Sequence, residues 1–412
     1  MKTLRFRWTI SVGMVAMLAT TGCTDFLKVE NPNTVTATDV NPVTDAPTLA
    51  ASALQDFAAA YGTYAVFGGI FSGELYSADV NSPGNLFSVR RVDETMTNGF
   101  LSSMSKARVL ATKVIAALKG SPAETSVNAA KAWLVSGYAF LVMSDHFCTI
   151  AVDGGPELTT SMMLDSVVVN LTKAIDLAGA LTGSDAQQIK NTALVGRARA
   201  YLQSGKKSLA VTDANAVTAG FTYNLTFIND LSNIQRLGNY VWYIEFAIGT
   251  LSAAPDFRNS SDPRIVTVAP AVNKLKPMDS QTDVWSIGKY PGYASPVRLA
   301  SKLEADYIAA EATGTAAMLT LIQARRAASG QPAYTGGTDD RSVLVEFLKQ
   351  RTYEFYVEGK HMGDLRRYPN DLPFLVPTGT PYRKANVPSY ADGVCWPISI
   401  QEKSNNPNFA KP

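Results

Sequence analysis

Hydrophobic positions recur along most of this chain at helical spacing. Leu164, Val168, Leu171, Ile175 and Ala178 follow at alternating intervals of four and three, with Asp165, Lys173 and Asp176 between them, which predicts an amphipathic helix. Residues 128–147 are apolar nearly all round, with Trp133, Leu134, Tyr138, Phe140, Leu141 and Met143, the pattern of a helix buried on most faces. Further helices are predicted over the alanine-rich residues 48–61 and over 100–118, where Gly120-Ser121-Pro122 gives a stop. Ile189, Ala193, Gly196 and Ala200 put small residues on one face, so a neighbouring helix can approach closely. Ser204-Gly205 then breaks the pattern before a second helical segment at 207–219, giving a hairpin. Lys131, Gly137 and Ala139 match Lys190, Gly196 and Ala198 at one offset of 59 residues, as expected of tetratricopeptide-like hairpin repeats.

From 222 to 296 the character changes to Asn, Asp, Pro, Gly and aromatics, predicting an irregular insertion with short strands at 240–248 and 265–268. Helical pattern returns at 297–312, 316–329 and 341–357, and the Pro-rich tail after Arg367 is predicted to wrap the body as loops. At the other end, a basic segment and the short apolar run 8–19 precede Thr20-Thr21-Gly22-Cys23. This is the pattern of a cleaved bacterial lipoprotein leader, residues 1–22, with Cys23 acylated. An ordinary secretory leader with a chance cysteine is the alternative. Residues 23–47 read as an anchor and polar tether, and 48–412 as a single helical domain.

The chain has 412 residues, of which 17% are charged, well below the roughly 25% of average soluble proteins, so disorder is not expected. Loss of Lys2, Arg5 and Arg7 with the leader takes the formal charge from +2 to −1, and no basic patch suggests nucleic acid. Without Cys23, the cysteines are Cys148 and Cys395, which in an oxidising compartment could form a disulfide or remain buried thiols. With two histidines, a multi-His metal site is impossible, and no cofactor is implied. Gly205-Lys206-Lys207-Ser208 superficially resembles a phosphate-binding loop, but the glycine needed five residues earlier is Ala200. Arg351, Glu354, Glu358, Asp364, Arg366 and Arg367 form the densest charged cluster, expected to be an ion-pair network fastening a helix to the following turn rather than a catalytic site. Tyr76, Phe87, Trp285, Tyr290 and Tyr293, in loop-like stretches with polar neighbours such as Asp79, are the candidate ligand-binding residues, because rings exposed in loops can stack on sugar faces. Trp242 and Tyr243 are expected in the core.

The run LVEFLKQRTYEFYVEGKHMGDLRR, residues 344–367, resembles the C-terminal signature of the SusD/RagB family of outer-membrane nutrient-binding lipoproteins. Other segments agree in order: KAWLVSGYAFLVMSDHF, ALVGRARAYLQSGKKSLAVTDANAV, Asp262-Pro263-Arg264, PVRLASKLEADYIAAEA with LIQARRAASGQP, and WPISIQEKSNNPNF. Gln350, His361, Ser329 and Ser399 depart from the pattern, at positions that belong to the scaffold. The resemblance implies a mainly α fold of tetratricopeptide-like hairpins with loop-rich insertions and a few short strands. It also implies a non-enzymatic protein at the cell surface of the outer membrane, lipid-anchored through Cys23. Its partners would be a SusC-like TonB-dependent transporter and an oligosaccharide or peptide ligand. A helical-repeat scaffold for protein assembly without a small ligand is the alternative. A surface hydrolase would need two carboxylates at catalytic separation in a cleft.

Overall fold

The computed structural model describes residue 41, residues 44–80 and residues 82–409, with only the backbone of Ser82. The leader, Cys23 and the tether up to residue 40 lie outside the described residues. The long helices are α1 (Ala46–Phe71), α2 (Asn98–Leu118), α3 (Val127–His146), α4 (Thr160–Gly179), α5 (Ser184–Gln203), α6 (Lys207–Ala216), α7 (Lys302–Thr313), α8 (Thr315–Ala328) and α9 (Asp340–Glu354). Each packs against the next, and α6 meets α7 although the 222–296 segment separates them in sequence. Local sequence sets their starts. Ser126, Thr159, Ser301 and Asp339 each accept a hydrogen bond from the amide three residues on, satisfying a donor that the first turn leaves open.

The offset repeat has a packing cause. A Cβ on Gly137 of α3 would come within 2.4 Å of Leu171 Cδ2, and one on Gly196 of α5 within 2.8 Å of Leu171 Cδ1 and of Tyr138 Cε2. Leu171 of α4 thus enters two glycine notches, one on each neighbouring helix. Tyr138 closes the joint by donating from its hydroxyl to the Thr192 carbonyl at 2.8 Å.

Short antiparallel strand pairs decorate this stack. The strands are β1 (Leu75–Ser77), β2 (Thr149–Ile150), β3 (Leu158–Thr159), β4 (Thr222–Leu225), β5 (Leu251–Ala253), β6 (Thr267–Val268), β7 (Ser286–Ile287) and β8 (Val297–Ser301), paired β1–β5, β2–β3, β4–β8 and β6–β7. The β4–β8 pair pinches the insertion at its base. Three helix predictions are too long, the one over 207–219 because the chain turns extended at Val217. Residues 297–301 are strand because β4 offers them a ladder, and α9 stops at Glu354 because Val357, at φ +55°, turns back to donate its amide to Glu74. Residues 240–248, predicted as a strand, are instead a helical turn over Tyr240–Trp242 running into a π-helical turn over Tyr243–Ile248.

The tail wraps back and enters the core. Trp396 is fully buried among Tyr64, Phe71, Phe87, Phe100, His146 and Phe147. Its amide donates to the His146 carbonyl at 2.6 Å, its carbonyl accepts from Cys148 at 2.9 Å, and a Cys148–Cys395 disulfide locks the crossing.

Gly196→Ala will overpack the notch and lower unfolding free energy by about 1–3 kcal/mol in urea titrations. Adding Leu171→Ala to it will cost less than the sum of the two single changes, because the leucine's part of the clash disappears and only the contact with Tyr138 remains.

Candidate functional site

Charged residues in the C-terminal cluster are paired within the protein. Arg351 Nε donates to Asp364 at 2.8 Å, and Arg367 bridges Asp364 and Glu311. Glu354 receives Arg264 and Arg325 at 2.7 Å each, and Glu358 receives Lys289 at 2.6 Å and Arg298 at 2.8 Å. Arg366, expected in the ion-pair network, forms no ion pair with a described residue: it donates instead to the Ser144 and Phe147 carbonyls and to Thr160 Oγ1, because the end of α3 and the start of α4, not a carboxylate, lie against it. Besides Arg264, Lys289, Arg298, Glu311 and Arg325, a second set of partners was absent from the sequence-derived cluster, most of them distant from it in the chain. Arg199 of α5 pairs with Asp145 of α3 and lies 3.4 Å from Glu304 of α7, which takes Lys360 at 2.5 Å. Burial pushes the Glu304 carboxyl up, but Lys360, Arg199 and Arg351 outweigh it and hold it below the usual carboxylate range. Lys289, Arg298, Arg351 and Arg367 thus pair with the acids of this cluster.

The candidate aromatics separate into three environments. Phe87 is not a loop ring: it lies in a short helix, Ser82–Ser88, 1% exposed, against Phe67, Phe71, Phe100 and Trp396. Tyr290 is also buried, at 2% exposure, and its hydroxyl donates to the Val357 carbonyl at 2.9 Å. Both rings fill core, and the polar residues beside them in sequence misled the prediction. Trp285 is half-buried and held by its backbone to β5, through Ser252 Oγ and the Ala253 amide. Tyr76 is half-buried in β1 with two guanidinium groups over its ring, Arg383 at 5.2 Å and Arg258 at 5.8 Å.

Tyr293 is half-buried too, and it meets Trp242 edge-on at 4.0 Å between centroids. Trp242 in turn stacks on Phe246 at 4.9 Å and 16°. None of these three rings is fully buried, so Trp242 does not sit in the core as expected. Asn239 builds the platform. Its Oδ1 accepts from the Trp242 amide at 3.2 Å and caps the helical turn; its own amide donates to the Tyr293 carbonyl and its Nδ2 to the Ser295 carbonyl, each at 2.7 Å. Behind the turn, α1 presents Gly62, where a Cβ would meet Tyr240 Cβ at 2.8 Å. Gly249, at φ +73°, ends the turn beside the Lys276 carbonyl. Sequence did carry a signal for this element: an Asn before the run, and aromatics four residues apart. The density of Val, Ile and aromatic residues masked it.

On the same π-helical turn lies Glu245, fully buried. Its Oε1 accepts from the Ile287 amide at 2.7 Å and its Oε2 has no partner. Burial pushes its carboxyl up to about 8, so it is neutral at pH 7. Asp79 lines a cleft of about 480 Å³ with Asn85, Asp279, Gln281, Lys384 and Asn386, and also borders a smaller cleft of about 230 Å³ that reaches Ile244 and Ile248 of the π-helical turn. Lys384 crosses the larger cleft's wall, donating to the Asp79 carbonyl at 2.8 Å and pairing with Asp279 at 2.6 Å. Among the described residues no His, Cys, Asp and Glu group is arranged to hold a metal ion.

Neither a family model nor a curated protein sequence matches the chain. Solved structures do. A SusD superfamily protein from Bacteroides vulgatus superimposes over 90% of this chain and 98% of its own, with a TM-score of 0.65 at 14% identity. This chain has the SusD/RagB fold. A laminarin-binding SusD-like protein matches over 89% of this chain and 98% of its own, with a TM-score of 0.67 at 15% identity. A chitin-binding SusD homolog from Flavobacterium johnsoniae covers 83% of this chain and 89% of its own, with a TM-score of 0.56 at 15% identity. No helix among the described residues is long and apolar enough to cross a membrane.

The neutral Glu245 gives a pH signature. The unfolded carboxyl ionises near 4.5 and the folded one near 8, so its contribution to stability falls as pH rises through that window. Glu245→Gln abolishes this loss, and its melting temperature will rise relative to the wild type between pH 5 and pH 8. At pH 8 the gain corresponds to on the order of a few kcal/mol. A constant difference across the window would refute the buried neutral acid.

Proposed function

We propose that the chain is a surface lipoprotein of the outer membrane that binds an oligosaccharide and passes it to a SusC-like TonB-dependent transporter. Binding, with no bond made or broken, is its whole task. The observation that carries this reading is the half-exposed Trp242–Phe246–Tyr293 cluster, held in shape by Asn239 on the irregular segment of a SusD-like fold. Pyranose rings have apolar faces that pack on such rings, while nearby amides and carboxylates bind hydroxyls. Preformed rings lose little conformational entropy on binding, which favours a ligand of otherwise weak individual contacts.

Two further lines support the reading. Two structures of the same fold come from proteins described as laminarin-binding and chitin-binding. The leader ending at Gly22-Cys23 fits acylation, and two or more acyl chains give stable attachment at about 0.8 kcal/mol per buried CH₂. The tether would then carry the binding face away from the bilayer.

Titration of the mature protein with laminari- and chito-oligosaccharides will give a saturable change in tryptophan fluorescence. Trp242→Ala and Tyr293→Ala will each weaken it roughly tenfold while the protein keeps its circular dichroism. Absence of any saturable response across an oligosaccharide panel, in a folded protein, would sink the glycan reading. In cells, a clickable palmitate analogue will label the wild-type chain and not Cys23→Ala.

A further inference from the structure

Most arginines in the interior of this protein face a carboxylate. Arg199, Arg264, Arg298, Arg351 and Arg367 all do so. Arg90 and Arg366 are instead spent on backbone carbonyls. Arg258 and Arg383 form no ion pair with a described residue either, yet both lie over the same tyrosine. Arg383 lies 5.2 Å and Arg258 5.8 Å from the centre of the Tyr76 ring, and Arg383 lies 5.6 Å from that of Tyr382. The backbone holds them in place. Arg258 Nε donates to the Ala253 carbonyl at 3.0 Å and Arg383 Nη2 to the Ser77 carbonyl at 2.6 Å, so one is fixed to β5 and the other to β1, the two strands of one pair.

Two cations over one ring repel each other, and for Arg258 the offset comes from Tyr76 itself and from the more distant Asp283, not from a paired carboxylate. Burial pulls the Arg258 guanidinium below its ordinary range, and the Arg383 charge adds to that. Asp283 acts on Arg258 from beyond ion-pair distance and is itself exposed. Asp279, in the adjoining cleft, is committed to Lys384, the residue after Arg383. Arg383 is exposed and Arg258 half-buried, so both can be reached from solvent. A preorganised pair of guanidiniums, each with donors left over, fits the planar oxygens of a carboxylate or the oxygens of a sulfate.

We propose that Arg258 and Arg383, stacked on Tyr76 beside the 480 Å³ cleft, form an anion subsite that selects oligosaccharides bearing carboxylate or sulfate groups. The inference rests on the glycan reading above and narrows it to acidic sugars. The anion would relieve the repulsion between the two cations.

Calorimetric titration of the mature protein with an oligogalacturonate, a chondroitin sulfate oligosaccharide and a neutral laminari-oligosaccharide tests it. At least one acidic probe will bind more tightly than the neutral one, and added salt will weaken it. Which acidic probe binds tells carboxylate from sulfate. Arg383→Gln and Arg258→Gln will each weaken the acidic probe roughly tenfold and leave any neutral binding unchanged. Should Arg258→Gln fail to fold, Arg383→Gln decides alone, since its side chain is exposed. If the neutral probe binds as well as the acidic ones, or if acidic binding ignores Arg383→Gln, the anion subsite is wrong and the glycan reading stands. If none of the three binds while a chito-oligosaccharide does, the subsite is wrong and the glycan reading stands; if the chito-oligosaccharide and the rest of the panel also fail to bind, both fall.

Discussion

Buried charge is the constraint on which the rest of this structure depends. Asp145, Arg199, Glu304, Lys360 and Glu358 lie together in the interior, each at most 5% exposed, and they come from α3, α5, α7 and the turn after α9. Removing any one partner would strand a charge away from water, at a cost of roughly 3–5 kcal/mol. Helices that could otherwise slide along their apolar faces are therefore held in one register. The same network reaches outward. Glu358 binds Lys289 and Arg298, and Lys289 also donates to the Tyr356 carbonyl, so the stretch carrying Trp285, Tyr290 and Tyr293 is fastened to the helical body by ionic and hydrogen-bonded contacts. A rigid scaffold thus extends to the face bearing the rings.

Much of this architecture was legible in the sequence, and the reason is periodicity. Hairpin helices carry their own signal in spacing, caps and glycine breaks, and the match of Gly137 with Gly196 marked a real notch for Leu171. What periodicity does not encode is partnership between distant residues. Arg199 and Glu304 are separated by 105 positions, and nothing local marks either as buried and charged. Strands suffered similarly: β8 exists because β4 lies beside it, and residues 297–301 read on their own as the start of a helix.

The ligand face was the least legible part, for a physical reason. A ring in a Gly-, Asn- or Pro-rich stretch can face solvent or plug the core, and local composition is the same in both cases. Phe87 and Tyr290 went inward because the surrounding helices left volumes for them; Trp242 stayed near the surface because Asn239 and Gly62 fixed the turn that carries it. Arg258 and Arg383, unremarkable as letters, gain meaning only from the shared ring between them.

The crossing of the tail over α3 bears on how the molecule assembles. Stacked hairpins usually depend on nearest neighbours alone and can form in any order or number. Here Trp396 completes a core that begins with Tyr64, and the Cys148–Cys395 bond joins positions 247 apart in sequence. The stack is thereby closed into a loop. Hairpins cannot be added or lost at the C-terminal end as in open solenoids, and folding must wait for contacts of very long sequence separation, which makes it slow and cooperative.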